Sequence, residues 1–181
     1  LLPDYRGAAP INHAIINGET STGVTTFLID EKIDTGNILL REEIQIFPFE
    51  NAGDLHDRLM KHGALLVIRT LSGIADNKIK PLPQANLLNH GESPKLASKI
   101  HPNDCIIDWN NNPVKIHNLV RGLAPYPGAR TVIKKELVTH SLKIFESQPE
   151  ISEHSFKPGQ IISDGKHFIR IACKSGFLNV V

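Results

Sequence analysis

The stretch LLPDYRGAAPINHAIINGETSTGVTTFLIDEKIDTG, residues 1–36, alternates Gly-containing turns with short apolar runs and decides the fold expected of the first half of the chain. Within it, residues 8–19 predict a short helix that stops at an Asn-Gly pair. Residues 22–29, rich in Thr, Val, Phe and Ile, and residues 37–46 predict two strands. The segment between the strands is therefore a loop, and it carries Asp34.

A long helix is expected after the second strand, over residues 51–77, with Asn51 as its N-cap. Gly63 and Gly73 weaken this helix. Apolar residues recur at helical spacing along it, at Met60, Ala64, Val67, Leu71 and Ile74. Two helices and two strands are too little to bury their own faces, so residues 1–77 are expected to be the trailing part of an α/β domain.

The composition changes in residues 78–98, where prolines, Asn, Gly and Ser replace any sustained period, and this predicts a linker. Residues 99–181 begin with an amphipathic helix whose apolar face comprises Ile116, Leu119, Val120 and Leu123. Short strand-like runs separated by turn residues follow this helix. Together they predict a small antiparallel β-barrel with one helix.

The formal net charge of +1 hides an asymmetry. Residues 1–80 carry 8 Lys and Arg against 11 Asp and Glu, whereas residues 81–181 carry 12 against 8. A basic domain gains affinity for a polyanion by releasing its counterions, although a solvated surface explains the charge equally well. The most concentrated basic set comprises Arg121, Arg130, Lys134, Lys135 and Lys143.

Several classes of protein are disfavoured by the composition. The chain is 40% hydrophobic and 22% charged, as in an ordinary globular protein, and no apolar run approaches the roughly 20 residues that span a bilayer. A cytoplasmic location is expected. Cys105 and Cys173 form no Cys-x-x-Cys pair, and we expect both to be buried thiols. The nine histidines show no ligand spacing, so no metal is expected.

Residues 1–19 and 22–36 together closely resemble the 10-formyltetrahydrofolate-dependent formyltransferases, most closely the branch that acts on methionyl-tRNA. The resemblance covers nearly all of residues 1–77 and resumes at IDWNNNPVKIHNLVRGLAPYPGA, residues 107–129, which is similar to the start of the family's C-terminal domain. It implies a Rossmann-like formyltransferase domain followed by an OB-like barrel that contacts tRNA.

The resemblance also implies the roles of particular residues. Asp34 matches the third catalytic residue of the family, and the family's contact with 10-formyltetrahydrofolate matches Leu1, Leu2 and Pro3. The other two catalytic residues belong to an Asn-x-His motif that precedes the Leu-Leu-Pro turn. We therefore expect the chain to be a fragment that starts just after this motif and is inactive by itself.

The implied chemistry needs no metal and no covalent intermediate. The α-amine of initiator methionyl-tRNA attacks the formyl carbon, and the resulting oxyanion needs positioned donors, which the Asn and His supply. An ionised Asp34 would orient the His and favour its charged form. Arg121, Arg130, Lys134, Lys135 and Lys143 would contact tRNA phosphates. Such an enzyme is expected to be a monomer when intact, whereas the fragment can associate through its incomplete sheet.

Other interpretations stay open. A related folate-dependent formyltransferase that modifies an amino-sugar nucleotide shares the Leu-Leu-Pro and Asp-x-Gly elements, and a fused dehydrogenase-like domain would favour it. A non-catalytic RNA-binding barrel is the alternative from another class, and an upstream Asn-x-His motif would exclude it. Arg6 can either pin its loop or lie near the folate or the tRNA end, and an Arg-Gly pair after a turn favours the first role. His13 is not expected to replace the family His.

Overall fold

The computed structural model describes residues 1–88, 91, 93–135 and 138–181, with the side chain of residue 135 left out. The chain divides into two compact units. The first unit comprises Leu1–Ala14, Glu19–Glu50 and Asp54–Lys99. The second comprises Ile15–Gly18, Asn51–Gly53 and Ile100–Val181. No helix among the described residues is long and apolar enough to cross a membrane.

The first half contains the predicted helix, strand, strand and helix in that order, together with two short strands that were not predicted. They are β1 (Arg6–Gly7), α1 (Pro10–Ile16), β2 (Ser21–Phe27), β3 (Ile38–Gln45), α2 (Ala52–Ala75) and β4 (Leu96–Ala97). Strands β2 and β3 pair antiparallel, with a register shift between Thr26 and Phe27. Strand β1 pairs parallel with β4, so the N-terminal loop is fixed to a segment about ninety residues further along the chain.

Helix α2 is one continuous helix of 24 residues, and the apolar residues noted at helical spacing in the sequence are not the ones that are buried. The buried residues of α2 are Ala52, Leu55, Leu59, Leu66 and Thr70, whereas the set noted in the sequence, Met60, Ala64, Val67, Leu71 and Ile74, is exposed. Helix α2 has apolar residues on both sides, so two of its stripes show helical spacing. The sequence alone does not show which stripe is buried. A Cβ on Gly73 would lie 2.5 Å from Ile79 Cδ1, so this glycine permits close packing rather than ending the helix.

The segment expected to be a linker, residues 78–98, contributes structure to the first unit. Leu82 forms a bridge with Ile38, a 3-10 turn spans Gln84–Leu87, and β4 pairs with β1. The sequence did not predict these contacts, because an extended segment that contributes one bridge and a two-residue strand shows no hydrophobic periodicity.

The second unit contains one long helix and six strands among the described residues. They are α3 (Pro113–Leu123), β5 (Ala129–Lys135), β6 (Val138–Ile144), β7 (Ser147–Ile151), β8 (Ile161–Ser163), β9 (Ile169–Cys173) and β10 (Gly176–Val180). Strands β5 and β6 form an antiparallel hairpin, and the others form an antiparallel sheet in the order β7-β10-β9-β8. Strand β7 was missed in the sequence because it contains Pro149, which is tolerated at the edge of this sheet.

The predicted closed barrel is not seen. Within the described ranges, no ladder joins the β5–β6 hairpin to the four-stranded sheet. Instead α3 packs against β5, β7 and β10, and its apolar face supplies Ile116, Val120 and Leu123 to the core. A helix seated between the two sheets replaces the strand pairing that would close a barrel.

Candidate active site

Asp34 lies in the loop between β2 and β3, as the sequence predicted. The base of this loop is closed by a hydrogen bond from Leu28 N to Asn37 O, 2.9 Å long. Asp34 has a φ of 57°, a left-handed conformation that Asp tolerates better than most residues. A Cβ on Gly36 would lie 1.6 Å from Leu28 O, so only glycine fits there. The shape of the loop therefore requires Gly36 and favours a residue such as Asp at position 34.

The acidic residues of this loop have different partners. Asp30 accepts hydrogen bonds from Thr35 Oγ1 at 2.6 Å and Lys32 N at 3.1 Å, both within the loop. Asp34 instead accepts a hydrogen bond from the backbone of another segment, with Gly7 N 2.9 Å from its Oδ2. The structure thus distinguishes two carboxylates that were equivalent in the sequence.

Gln84, which the sequence analysis missed, connects the two segments through its side chain. It is 3% exposed. Its Oε1 accepts hydrogen bonds from Arg6 Nη2 at 2.8 Å and Arg6 Nε at 3.2 Å. Its Nε2 donates to Asp34 O at 2.9 Å and to Gly36 O at 2.8 Å. Arg6 therefore pins its loop, the role that the Arg-Gly pair favoured.

A second polar cluster supports the N-terminal loop. Tyr5 is buried with a φ of 60°, and its hydroxyl donates to Glu19 Oε1 at 2.5 Å. Lys95 Nζ donates to the same oxygen at 2.6 Å, and its backbone N donates to Asp4 Oδ1 at 2.9 Å. The bond from Lys95, followed by that from Tyr5, lowers the pKa of the Glu19 carboxyl below its ordinary value of 4.5. These bonds hold a non-glycine residue in a rarely occupied backbone conformation.

A cleft of about 270 Å³ lies beside Asp34 in the first unit. It is lined by Leu1, Leu2, Asp4, Tyr5, Gly7, Pro10, Gly23, Thr25, Phe27 and Asp34. Two of the residues expected to contact folate, Leu1 and Leu2, are thus beside the expected catalytic residue, whereas Pro3 is buried and is not part of the lining. A carboxylate held at the wall of a partly apolar cleft can orient a charged or proton-carrying group of a ligand or a neighbouring side chain.

Three residues of the predicted basic set, Arg130, Lys134 and Lys143, lie on the β5–β6 hairpin with their side chains described. Arg130 and Lys143 lie directly opposite each other on the β5–β6 hairpin, and Lys134 is four residues along β5 from Arg130, on the same face. Lys134 and Lys143 are exposed and Arg130 is half-buried. The side chain of Lys135 lies outside the described part of the structure.

Arg121 does not belong to this exposed face. It lies on α3, is 7% exposed, and donates from Nε to Asn118 Oδ1 at 2.9 Å. The sequence analysis included Arg121 in the basic set because charge alone does not indicate burial. Its burial separates it from the exposed Lys134 and Lys143.

Both cysteines are buried, as expected. Burial raises the pKa of the Cys105 thiol, and raises that of Cys173 to about 11. Among the described residues, no group of three His, Cys, Asp or Glu side chains could hold a metal ion.

Two family models match the chain. The model described as formyl transferase matches residues 1–71, and the formyl transferase C-terminal domain matches residues 99–181. The methionyl-tRNA formyltransferase of Flavobacterium johnsoniae is 50% identical over the whole of this chain. The enzyme of that name from Bacteroides fragilis is 43% identical, also over the whole chain. The chain spans 56% of each, about half the length of these curated relatives.

Solved structures share the fold. An N-formyltransferase from Helicobacter canadensis, in complex with folinic acid and dTDP-3-aminofucose, superposes with a TM-score of 0.72 at 24% identity, over 99% of this chain and 62% of its own. HypX from Aquifex aeolicus, in complex with tetrahydrofolic acid, superposes with a TM-score of 0.69 at 21% identity, over 98% of this chain and 30% of its own. These matches support the Rossmann-like formyltransferase fold expected for the first part. The two matched domains and the identity to the bacterial relatives show that the chain belongs to the formyl transferase family.

Proposed function

We propose that this chain forms part of an enzyme that transfers a formyl group from 10-formyltetrahydrofolate to the α-amine of initiator methionyl-tRNA. The observation that carries the proposal is 50% identity, over the whole chain, to a protein named for this activity. The cleft is consistent with it, because Asp34, which the family resemblance marks as catalytic, lines the same space as Leu1 and Leu2, which the resemblance marks as folate contacts.

In the proposed reaction the amine nitrogen of methionyl-tRNA attacks the formyl carbon. The bond from this carbon to the folate nitrogen breaks, and the proton lost by the amine is balanced by the proton that the folate nitrogen gains. Asp34 forms no covalent bond with the substrates in this reaction. Its carboxylate is held by Gly7 N, and it orients the imidazole that the family places beside it, which lies outside residues 1–181.

The hairpin residues Arg130, Lys134 and Lys143 are proposed to contact tRNA phosphates. Like charges placed directly opposite each other on neighbouring strands destabilise a hairpin. Arg130 and Lys143 form such a pair. A phosphate beside this pair would relieve the repulsion.

A second candidate acceptor is an amino-sugar nucleotide. It is favoured by the fold shared with the Helicobacter canadensis protein, whose complex contains dTDP-3-aminofucose. The 24% identity of that match shows the fold alone, whereas the 50% identity to the Flavobacterium johnsoniae protein distinguishes acceptors better.

The test is a transfer assay on the full-length gene product with labelled 10-formyltetrahydrofolate. Two acceptors are compared at equal enzyme concentration: methionyl-tRNA and a dTDP-amino sugar. We expect label in methionyl-tRNA and none in the sugar nucleotide. Label in the sugar nucleotide alone would replace the first candidate with the second, and label in neither would reject both.

A further inference from the structure

The side chain of Gln84 completes a closed ring of hydrogen bonds around the Asp34 loop. From Arg6, the ring passes through the guanidinium to Gln84 Oε1, and from Gln84 Nε2 to the carbonyl of Asp34. It continues to the Asp34 carboxylate and returns through Gly7 N, which is the residue next to Arg6. Every link is between 2.8 and 2.9 Å long.

The amide of Gln84 satisfies the polar groups at this position, whereas a carboxylate or an apolar side chain of similar size does not. It accepts two bonds and donates two, so both ends of a buried polar group are satisfied. A carboxylate would face the carbonyls of Asp34 and Gly36 without donors. An apolar side chain of the same length would leave these carbonyls and the Arg6 guanidinium without their partner.

The ring acts on the orientation of Asp34 because its φ of 57° is not imposed by a helix or strand. Among the described residues, the hydrogen bonds that hold its loop are the closure between Leu28 and Asn37, the two from Gln84 and the one from Gly7 N to the carboxylate. Both donors of Gln84 are used on the backbone of this loop. Losing them frees the peptides that follow Asp34 and Gly36 to rotate, and the Asp34 carboxylate turns with the first of these peptides.

We propose that Gln84 is a positioning residue of the formyl-transfer site: its side-chain amide couples Arg6 to the backbone of Asp34 and thereby fixes the carboxylate. The inference rests on the proposed function for its kinetic consequence. Its structural consequence, a Gly7 amide held by Asp34, is independent of the substrate.

The kinetic test compares Gln84→Met with the unchanged full-length protein. Misplacement of a catalytic group by about 1 Å can cost a hundredfold, so we expect kcat to fall by about ten- to a hundredfold. The KM values for 10-formyltetrahydrofolate and methionyl-tRNA should change by less than about twofold, because Gln84 is not part of the cleft lining. In the Asp34→Asn background the same substitution should have almost no further effect, because the two residues act as a unit.

The control is Thr70→Val, which removes a buried hydroxyl of the same unit. Thr70 is 4% exposed and its hydroxyl bonds to Leu66 O and Thr26 Oγ1 at 2.7 and 2.8 Å. This variant loses stability for the same physical reason as Gln84→Met but leaves the Asp34 loop intact, so its kcat should be unchanged.

A substrate-free readout separates this inference from the proposed function. Hydrogen exchange of the Gly7 amide should accelerate at least about tenfold in Gln84→Met and not in Thr70→Val. If the unchanged protein transfers no formyl group, the proposed function fails while the exchange result still decides the inference. Unchanged Gly7 exchange, or an undiminished loss of kcat in the Asp34→Asn background, would overturn it. If Gln84→Met does not fold, Gln84→Glu is used in its place, with the same expected results. If neither variant folds, Gln84 is needed for the stability of the first unit as a whole, and its assignment as a positioning residue is rejected.

Discussion

The Asp34 cleft and the β5–β6 hairpin use polar side chains in opposite ways. Around Asp34, buried polar groups bond to one another, and Gln84 has four bonds from a single amide. On the hairpin, Arg130 and Lys143 repel each other across the strands, and the exposed Lys134 lies on the same face. The first arrangement fixes geometry from within the protein, whereas the second gains energy only from an external anion. Substitutions in the cleft should therefore change a rate, and substitutions on the hairpin should change an affinity.

The largest effect is expected for Asp34→Asn in the full-length protein. Asn tolerates the left-handed φ of 57° and keeps the size of the side chain, so the substitution removes mainly the charge. We expect kcat to fall at least about a hundredfold, as for a general acid-base group, with little change in tRNA affinity. Asp30→Asn is the matched control, because Asp30 bonds only within the same loop. Equal losses in the two variants, or weaker tRNA binding at a normal rate, would contradict the catalytic assignment of Asp34.

An intermediate effect is expected for the double substitution Lys134→Ala and Lys143→Ala. If both lysines contact phosphates, tRNA affinity should fall for all tRNAs alike, since phosphate contacts do not read sequence. The slope of log affinity against log salt should become shallower by about one unit per lost contact. The affinity for 10-formyltetrahydrofolate should stay constant.

The matched control for the hairpin is the double substitution Lys157→Ala and Lys166→Ala, which removes the same charge from exposed positions of the same unit outside β5 and β6. Its salt slope should equal that of the unchanged protein. The same change of slope in both double variants would show a diffuse effect of net charge and would remove the hairpin as a specific interface.

The elements that the sequence predicted well are those fixed by local pattern. The runs of apolar and β-branched residues at 22–29 and 37–46 located β2 and β3. The Asn-Gly pair at residues 17 and 18 correctly marked the end of α1, which stops at Ile16. Asp34 was found through the family resemblance, because its motif is continuous. The sequence did not show that Asp34, rather than Asp30, bonds outside the loop, since that depends on the approach of Gly7.

The elements that escaped prediction depend on contacts distant in sequence. Gln84 is 78 residues from Arg6, in a proline-rich segment without a period, and only the folded chain brings the two together. The sequence did not show which side of α2 is buried, because apolar residues occur on both sides of the helix. The predicted barrel is not confirmed, and the packing of α3 against β5, β7 and β10 cannot be deduced from the spacing of short strands.

The smallest effect is expected for Glu19→Gln, and its sign depends on pH. Bonds from Lys95 and Tyr5 lower the pKa of Glu19 in the folded protein below its ordinary value of 4.5, which applies to the unfolded chain. The carboxylate therefore contributes stability above about pH 4.5, and this contribution is lost as the pH falls through the folded-state pKa. Because Glu19 and Lys95 are partly exposed to solvent, the contribution near pH 7 should be under about 1 kcal/mol.

Urea unfolding of the unchanged protein and of Glu19→Gln, measured from neutral to acid pH, checks this expectation. The unchanged protein should be more stable at neutral pH, and the difference should vanish in acid. In a Lys95→Met background the neutral-pH difference should shrink, because the bond from Lys95 is the main cause of the lowered pKa. A difference that stays constant with pH would mean that the charge of Glu19 does not stabilise the N-terminal loop, which would then depend on neutral hydrogen bonds and packing.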